Sequence, residues 1–275
     1  MKNRHLIVAG AIAFAFAFIT QAPAAVLYGW LAPKVSKVEL YGLQGTLLEG
    51  SVAGIGIQGK PAWQELHWNL HPLWLLTLRV VADVETTTPA AVKSRVSLAP
   101  WGISLSGVRA AGSVRSLLGA AGQGYLPVEG QVGADLKSIG LSDGKPSSAE
   151  GTVDIEALSW TLAKDPVVLG NFRGTATTEA DKIVMNVASV SGPLDVSGTA
   201  SLASDESYAV DLKIKPKPGA PPVVLTLVQS LGRADAEGAY HLRTQHKAPA
   251  PPPSTPQAPA APGTQPKPPP PSDSE

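Results

Sequence analysis

The sequence predicts a mainly β protein, an antiparallel sheet or meander of many strands that lies between an apolar N-terminal segment and a Pro-rich tail. Apolar and polar residues alternate along the middle of the chain, for example in residues 152–157 and 208–214. This period of two is typical of antiparallel strands with one buried and one wet face. The 275 residues also include 27 Gly and 26 Pro, which is too many for a helical bundle.

The N-terminal segment, residues 1–32, is predicted to be a short stub followed by a transmembrane helix. Lys2 and Arg4 precede 27 uncharged residues, 6–32, of which the first fourteen are all apolar or Gly. A helix of that length spans about 40 Å, enough to cross a bilayer. The residues Ala22-Pro23-Ala24 also fit the cleavage site of a secretory signal. The residues alone therefore leave an uncleaved anchor and a cleaved signal equally open, and both export the remainder.

The composition excludes several classes of protein. The 22 basic and 22 acidic side chains balance, whereas a generic nucleic-acid binder needs a basic face. The chain has no cysteine, which excludes a disulfide framework, a thiolate zinc site and a thiol nucleophile. Because Lys2 and Arg4 lie before it, the exported part from residue 33 carries 20 basic and 22 acidic groups, a net charge of −2. Electrostatic adhesion to anionic lipid heads is therefore not expected.

Within the predicted β-rich domain, residues 33–246, a Gly recurs beside segments of alternating residues. It occurs in Glu-Gly pairs or looser copies of them, namely Glu129-Gly130, Glu150-Gly151, Glu237-Gly238, Ser197-Gly198-Thr199 and Gln44-Gly45-Thr46. We expect each Gly to lie where a strand starts or bends, because such positions need unusual backbone angles. Helix is predicted only in short pieces, at residues 72–76, 114–121 and 222–231.

The tail, residues 247–275, is predicted to be disordered. Pro makes up 12 of its 29 residues, and almost nothing apolar is larger than Ala. Such a segment cannot bury enough surface to offset its ordering entropy. As a polyproline-type extension it would reach about 90 Å. A dispensable tail and a spacer or docking arm are both open readings.

Two sequence patterns match binding-site motifs but lie in predicted secondary structure that does not suit binding. Residues 54–59, Gly-Ile-Gly-Ile-Gln-Gly, match the dinucleotide-binding fingerprint, which requires a helix to begin within it. Lys60-Pro61 and a Trp-rich strand follow instead, so that we expect a Gly-rich hairpin. His67 and His71 alternate with apolar residues, which places them about 13 Å apart on a strand, too far for one metal ion. With no catalytic motif present, we predict no catalytic residue, no cofactor, no metal and no enzyme.

Aromatic and leucine residues cluster in the first third of the exported part. They are Trp63, Trp68, Trp74 and Trp101, together with Leu73, Leu75, Leu76 and Leu78. The favoured interpretation is a sheet core. The alternative is an exposed patch or groove for a partner strand or for lipid, since aromatic residues near a membrane often lie at the interface.

Several short motifs, in their order, resemble protein N of the bacterial type II secretion system. Residues 43–50 contain a Gly-Thr-x-x-x-Gly element, and residues 66–73 contain a Trp-x-x-x-Pro segment that runs into leucines. The resemblance continues through residues 150–153, 162–170, 231–232 and 237–242, and it covers most of residues 5–245. The Pro-rich tail lies outside it. The positions that carry it, as structural or interaction residues, are Gly45, Thr46, Gly50, Trp68, Pro72, Gly151, Gly232 and Gly238.

The resemblance implies a non-catalytic component of the machine that moves folded proteins from the periplasm to the exterior of a Gram-negative bacterium. It implies an uncleaved single-pass anchor in the inner membrane, a cytoplasmic N-terminus and a periplasmic β-rich domain. The implied partners are other secretion components of the inner membrane and periplasm. The role we hypothesise is a scaffold that binds them by strand addition at the edge of its sheet.

A second resemblance belongs to a different class of protein. As an anchored periplasmic protein made of strands that start with Gly-Thr, the predicted protein also resembles AsmA-like envelope proteins, which handle lipid in a hydrophobic β-groove. A lipid carrier is expected to have a continuous apolar concave face. A scaffold is expected to close its inner faces with packed side chains.

Overall fold

The computed structural model describes residues 23–25, 38–57, 60–100, 102–142, 145–162, 165–180, 182–205 and 207–246. The apolar run at residues 6–19 and the Pro-rich tail, residues 247–275, lie outside these ranges. Among the residues that are described, no helix is long and apolar enough to cross a bilayer.

All the strands in the described ranges belong to one antiparallel sheet of fourteen strands. In chain order they are β1 (Val38–Tyr41), β2 (Gln44–Gly45), β3 (Glu49–Ile57), β4 (Lys60–Leu70), β5 (Val80–Thr86), β6 (Ala91–Ala99), β7 (Gly102–Ser113), β8 (Val128–Ser142), β9 (Lys145–Trp160), β10 (Val167–Glu179), β11 (Lys182–Ser191), β12 (Leu194–Ala203), β13 (Tyr208–Pro216) and β14 (Tyr240–His246). From β3 to β14 each strand pairs with the next, and β1 and β2 both pair with β3. The prediction of a mainly β protein with one many-stranded antiparallel meander is confirmed.

The pairing register keeps apolar residues on one face of the sheet. Val96 lies opposite Leu105, Leu105 opposite Ile139, and Ile139 opposite Ala149, across four strands from β6 to β9. The residues between them in sequence point to the other face and are mostly polar or charged. Because side chains alternate along a strand between its bulges, this register decides which face of β6 to β9 is apolar.

The recurring glycines mostly mark bends rather than strand starts. Gly151 lies inside β9, beside a register shift in its pairing with β8 between Leu136 and Ser138. Its φ of +147° suits glycine, and a Cβ there would lie 2.5 Å from the Leu136 Cα and would overlap the Asp135 carbonyl oxygen. A glycine is therefore needed for the two strands to stay paired at this bulge.

Short helical segments occur at the three predicted places. A 3₁₀ turn covers Pro72–Thr77, helix α1 covers Val114–Ala120 and helix α2 covers Pro222–Gln229. Ser113 caps α1, because its hydroxyl oxygen accepts a hydrogen bond from the Ser116 N–H at 3.0 Å. Helix α2 begins with a proline, which cannot donate to a preceding turn and is favoured at a helix start.

The densest packing lies where α2 covers the C-terminal half of the sheet. Val224 and Val228, four residues apart on one side of α2, are buried. They belong to a core cluster with residues of β10 and β12, namely Leu169, Phe172, Leu194 and Val196. On β6 to β9 the apolar residues are mostly half-buried, with Val108 and Ala149 as buried exceptions.

Replacing Leu194 by Ala tests this core. Leu194 is buried at the start of β12, so that we expect a loss of about 2–5 kcal/mol in the free energy of unfolding. Leu162→Ala is the matched control because Leu162 is 73% exposed, and we expect it to cost less than about 0.5 kcal/mol. The measurement is urea unfolding of the full chain in detergent. Equal losses for the two variants would contradict this assignment of the core.

Candidate functional site

The dinucleotide-like glycines lie in a strand. Gly54 and Gly56 are part of β3, and strand β4 begins at Lys60. Residues 58 and 59 lie outside the described ranges. The structure therefore has a strand where the fingerprint needs the start of a helix, and the glycines have no phosphate-binding geometry.

The two histidines lie at the end of β4 and do not face one ion. His67 lies within β4 and His71 follows its last residue. The Nε2 atom of His71 lies 2.7 Å from Asp83 Oδ2, and Arg95 Nε donates to Asp83 Oδ1 at 2.8 Å. The hydrogen bond from Arg95, and that of His71 after it, lower the pKa of Asp83 below its usual value. Within the described ranges, no group of His, Cys, Asp and Glu could hold a metal ion.

Ion pairs between neighbouring strands cover the polar face. Asp83 and Arg95 are directly opposite in the register, and the same arrangement recurs along the sheet. The other pairs are Glu85–Lys93 at 3.0 Å, Arg109–Asp135 at 4.0 Å, Asp154–Arg173 at 2.6 Å and Asp211–Arg243 at 3.1 Å. All are at least partly accessible to solvent, which screens the charges, so that each pair adds little to stability. Each pair places a basic side chain beside an acidic one, although the basic members of two pairs, Lys93 and Arg109, lie directly opposite each other on β6 and β7.

Five of the family-motif residues lie in the neighbouring strands β2, β3 and β4 or in the turns beside them. Gly45 in β2 lies opposite Gly50 in β3, and Gly50 lies opposite Trp68 in β4. Thr46 closes the turn between β2 and β3: its N–H donates to the Glu49 carbonyl oxygen at 2.8 Å, and its hydroxyl oxygen accepts from the Glu49 N–H at 3.2 Å. Pro72 starts the 3₁₀ turn just after β4.

Gly50 leaves room for the indole ring of Trp68. A Cβ at position 50 would overlap Trp68 Cζ2 and would lie 2.7 Å from the Gln44 carbonyl oxygen. The ring is half-buried, and its Nε1 donates to the Leu47 carbonyl oxygen at 3.1 Å. The Gly-Thr-x-x-x-Gly element and the Trp-x-x-x-Pro segment therefore form one packed unit, which sequence spacing alone does not reveal.

The other three motif glycines lie in other elements. Gly151 is in β9, Gly232 follows α2 with a φ of +131°, and Gly238 lies in the turn before β14 with a φ of +78°. Each lies at a bend or turn in the backbone. Whether any of the eight positions contacts a partner stays a prediction.

Asp235, which sequence reasoning missed, holds the turn that contains Gly238. Its Oδ1 accepts the N–H groups of Glu237 at 2.9 Å and Ala239 at 2.8 Å, and its Oδ2 lies 3.1 Å from His241 Nε2. The hydrogen bond from the Ala239 backbone, then that of His241, lower the pKa of Asp235 to about 2. An Asp three residues before a Gly is the signal of such a turn. The turn places the start of β14.

The leucine and tryptophan cluster corrects one prediction. Trp63 and Trp68 are half-buried, as the core interpretation expects. The core interpretation is wrong for the segment after β4: Leu73 and Trp74 of the 3₁₀ turn are 78% and 48% exposed, and Leu78, which follows the turn, is 78% exposed. A tight turn at a strand end has no neighbouring layer to cover it. Trp101 lies outside the described ranges, as do the side chains of Leu75 and Leu76.

The last strand forms an open edge of the sheet. β14 pairs with β13 in an unbroken register from Tyr240 to His246, and no described strand pairs with its other side. The ring of His246 stacks on that of Tyr208 with centroids 5.6 Å apart, which secures the end of the strand. A regular edge of this length offers main-chain hydrogen-bonding groups to an incoming strand.

Replacing Gly50 by Ala tests the packed hairpin. The new methyl group must displace the Trp68 ring, so that we expect a loss of about 1–3 kcal/mol in the free energy of unfolding. Gly54→Ala in the same strand is the control, because the atom nearest to its added Cβ would be 3.9 Å away. Urea unfolding measures both. If Gly54→Ala is as destabilising as Gly50→Ala, the contact with Trp68 is not the reason for the glycine.

Comparison with known proteins identifies the family. No curated protein and no solved structure matches the chain. The sequence model of the family described as "Type II secretion system (T2SS), protein N" matches residues 36–243, well over half of the chain. This span includes β1 to β13 and most of β14. The chain therefore belongs to the type II secretion system protein N family, as its motifs predict.

Proposed function

We propose that this type II secretion component is a non-catalytic scaffold that helps to export folded proteins from the periplasm. In this proposal residues 1–32 contain an uncleaved inner-membrane anchor, residues 33–246 form a periplasmic domain, and residues 247–275 are a disordered tail. The family match supports the pathway. The open edge of β14 is the observation that carries the scaffold role.

The edge of β14 fits the addition of a strand from another secretion component. The strand has seven residues and a register without a bulge. Native edges are often protected by proline, by lysine or by bulges, and β14 contains none of these. Strand addition obtains affinity from main-chain hydrogen bonds and therefore needs no catalytic or charged site. The partners are other secretion components of the inner membrane and periplasm.

Secretion assays with edge variants test this proposal. Deleting the gene is expected to leave folded cargo in the periplasm while the outer membrane stays intact. Leu242→Pro and Arg243→Pro each remove one N–H group, and because neighbouring N–H groups alternate in direction, one of them faces away from β13. The variant with the wild-type melting temperature is the informative one, and we expect it to trap cargo as the deletion does.

Leu162→Pro, in an exposed loop, is the control and is expected to secrete normally. Normal secretion in cells with the stable edge variant would contradict strand addition at the edge of β14. Normal secretion after gene deletion would count against the secretion role itself.

A second candidate function, lipid handling, is favoured by the apolar face of the sheet. Its residues on β6 to β9 are mostly half-buried, and the described helix α2 covers only the C-terminal half. Leu98, at the end of β6, is 42% exposed. Soluble proteins rarely expose an apolar surface that continues across several strands. Acyl chains are the alternative occupant of this face.

Phospholipid bound to the purified protein tests the second candidate. If acyl chains occupy the apolar face, native mass spectrometry is expected to detect phospholipid, and Ile139→Glu is expected to abolish it because the charge enters the apolar face. Ser138→Glu, its neighbour on the polar face of β8, is the control and is expected to retain lipid. Lipid-free wild-type protein would exclude this candidate.

A further inference from the structure

We propose that the 3₁₀ turn and the residue that follows it insert into the surface of the membrane through Leu73, Trp74 and Leu78. These three residues are called the apolar turn below. The inference rests on the inner-membrane anchor of the proposed function and adds where the domain contacts the bilayer.

The backbone of the apolar turn is closed on itself and holds the three side chains outward. The Trp74 N–H donates to the His71 carbonyl oxygen at 3.2 Å, and the Trp74 carbonyl oxygen accepts from the Thr77 hydroxyl at 2.8 Å and from the Arg79 N–H at 3.3 Å. These hydrogen bonds fix the backbone conformation of the turn. Two leucines at 78% exposure and a half-exposed tryptophan lie at its surface.

The backbone of Leu78 is strained, and no described residue buries its side chain to compensate. Its φ is +56°, which is unusual for a large side chain. Such strain is maintained when the conformation serves a contact. An apolar environment outside the sheet supplies that contact.

The apolar turn lies at the end of the sheet where the N-terminal segment meets it. Pro23 forms a bridge with Thr46, and Ala24 is only 6% exposed. The chain just after Thr46 pairs with the end of β4, since the Leu70 N–H donates to the Leu48 carbonyl oxygen at 2.6 Å. The 3₁₀ turn that carries Leu73 and Trp74 begins two residues later, at Pro72.

Chain length then sets the distance to the bilayer. The fully apolar run ends at Ile19, four positions before Pro23, and four residues span at most about 14 Å. The strands are longer: β4, with 11 residues, extends about 36 Å. Only the end of the sheet that holds Pro23 and the apolar turn can therefore reach the membrane. Because Pro23 is bridged to Thr46, the membrane-crossing part in this inference is residues 6–22, about 25 Å as a helix, and not the whole uncharged run 6–32 that the sequence offers.

The side chains at this end suit the interfacial layer of a bilayer. Tryptophan prefers the headgroup region, and leucine favours the adjoining acyl chains. Val80 and Leu98 lie opposite each other at the same end of β5 and β6, and both are exposed. The exported part has a net charge of −2, so that contact with a bacterial membrane has to come from apolar groups.

Site-specific fluorescence in vesicles tests the inference. The chain has no cysteine, so that single cysteines at Leu73→Cys and Leu78→Cys take an environment-sensitive dye without further changes. Leu162→Cys is the control, because Leu162 is also highly exposed but follows β9 at the opposite end of the sheet. Each full-length variant is reconstituted in vesicles of phosphatidylethanolamine and phosphatidylglycerol that contain brominated lipid.

We expect blue-shifted emission at positions 73 and 78 and quenching about twofold or more above that at position 162. Flotation of the vesicles separates the possible failures. Protein that floats but shows equal quenching at all three positions would overturn membrane insertion of the apolar turn alone. Protein that does not float would overturn the anchor, and this inference with it.

Discussion

The alternation of side chains across a single antiparallel sheet is the constraint on which the rest of this structure depends. A slip of one residue would exchange the apolar and polar faces of a strand. The sequence nevertheless contains such slips, because Leu105 and Val108 in β7 are three residues apart, as are Leu136 and Ile139 in β8. The register pairs Leu105 with Ile139 and Val108 with Leu136, so that the two strands take up an extra residue at the same level. Gly107, at a φ of +58°, supplies the bend in β7.

This constraint explains how much of the fold the sequence predicts. Regular alternation at residues 152–157 and 208–214 predicts strands, and both segments are strands. The positions of the bulges are less visible, because an interruption such as Lys137 looks like the end of a strand. The ladder of ion pairs depends on which strands are neighbours, and a single sequence does not contain that information. The sequence predicts Leu73 and Trp74 in the core although both are exposed, because hydrophobicity reports a preference for burial and not the presence of a covering layer.

For the motif residues, too, some features can be predicted from nearby residues in the sequence and others depend on which strands are paired. The turn at Thr46 follows from local backbone chemistry and can be read from the chain. The Gly at position 151 indicates a bend, but its close contact with Leu136 of β8 is visible only in the register. The packing of Trp68 against Gly50 joins residues on different strands, and it becomes visible only with the register. Asp235 is intermediate, because its hydrogen bonds are local but its role is to place the edge strand.

The two faces and the edge of the sheet set different requirements for partners. The polar face is balanced by its own ion pairs and is stable in water without a ligand. The edge of β14 lacks a hydrogen-bonding neighbour in the described chain, and strand addition would supply one while leaving the apolar face as it is. Helix α2 satisfies only the C-terminal half of that face, through Val224 and Val228. An edge partner and an apolar occupant would therefore contact different parts of one sheet, and a strand added to β14 would leave the half-buried apolar residues of β6 to β9 as they are.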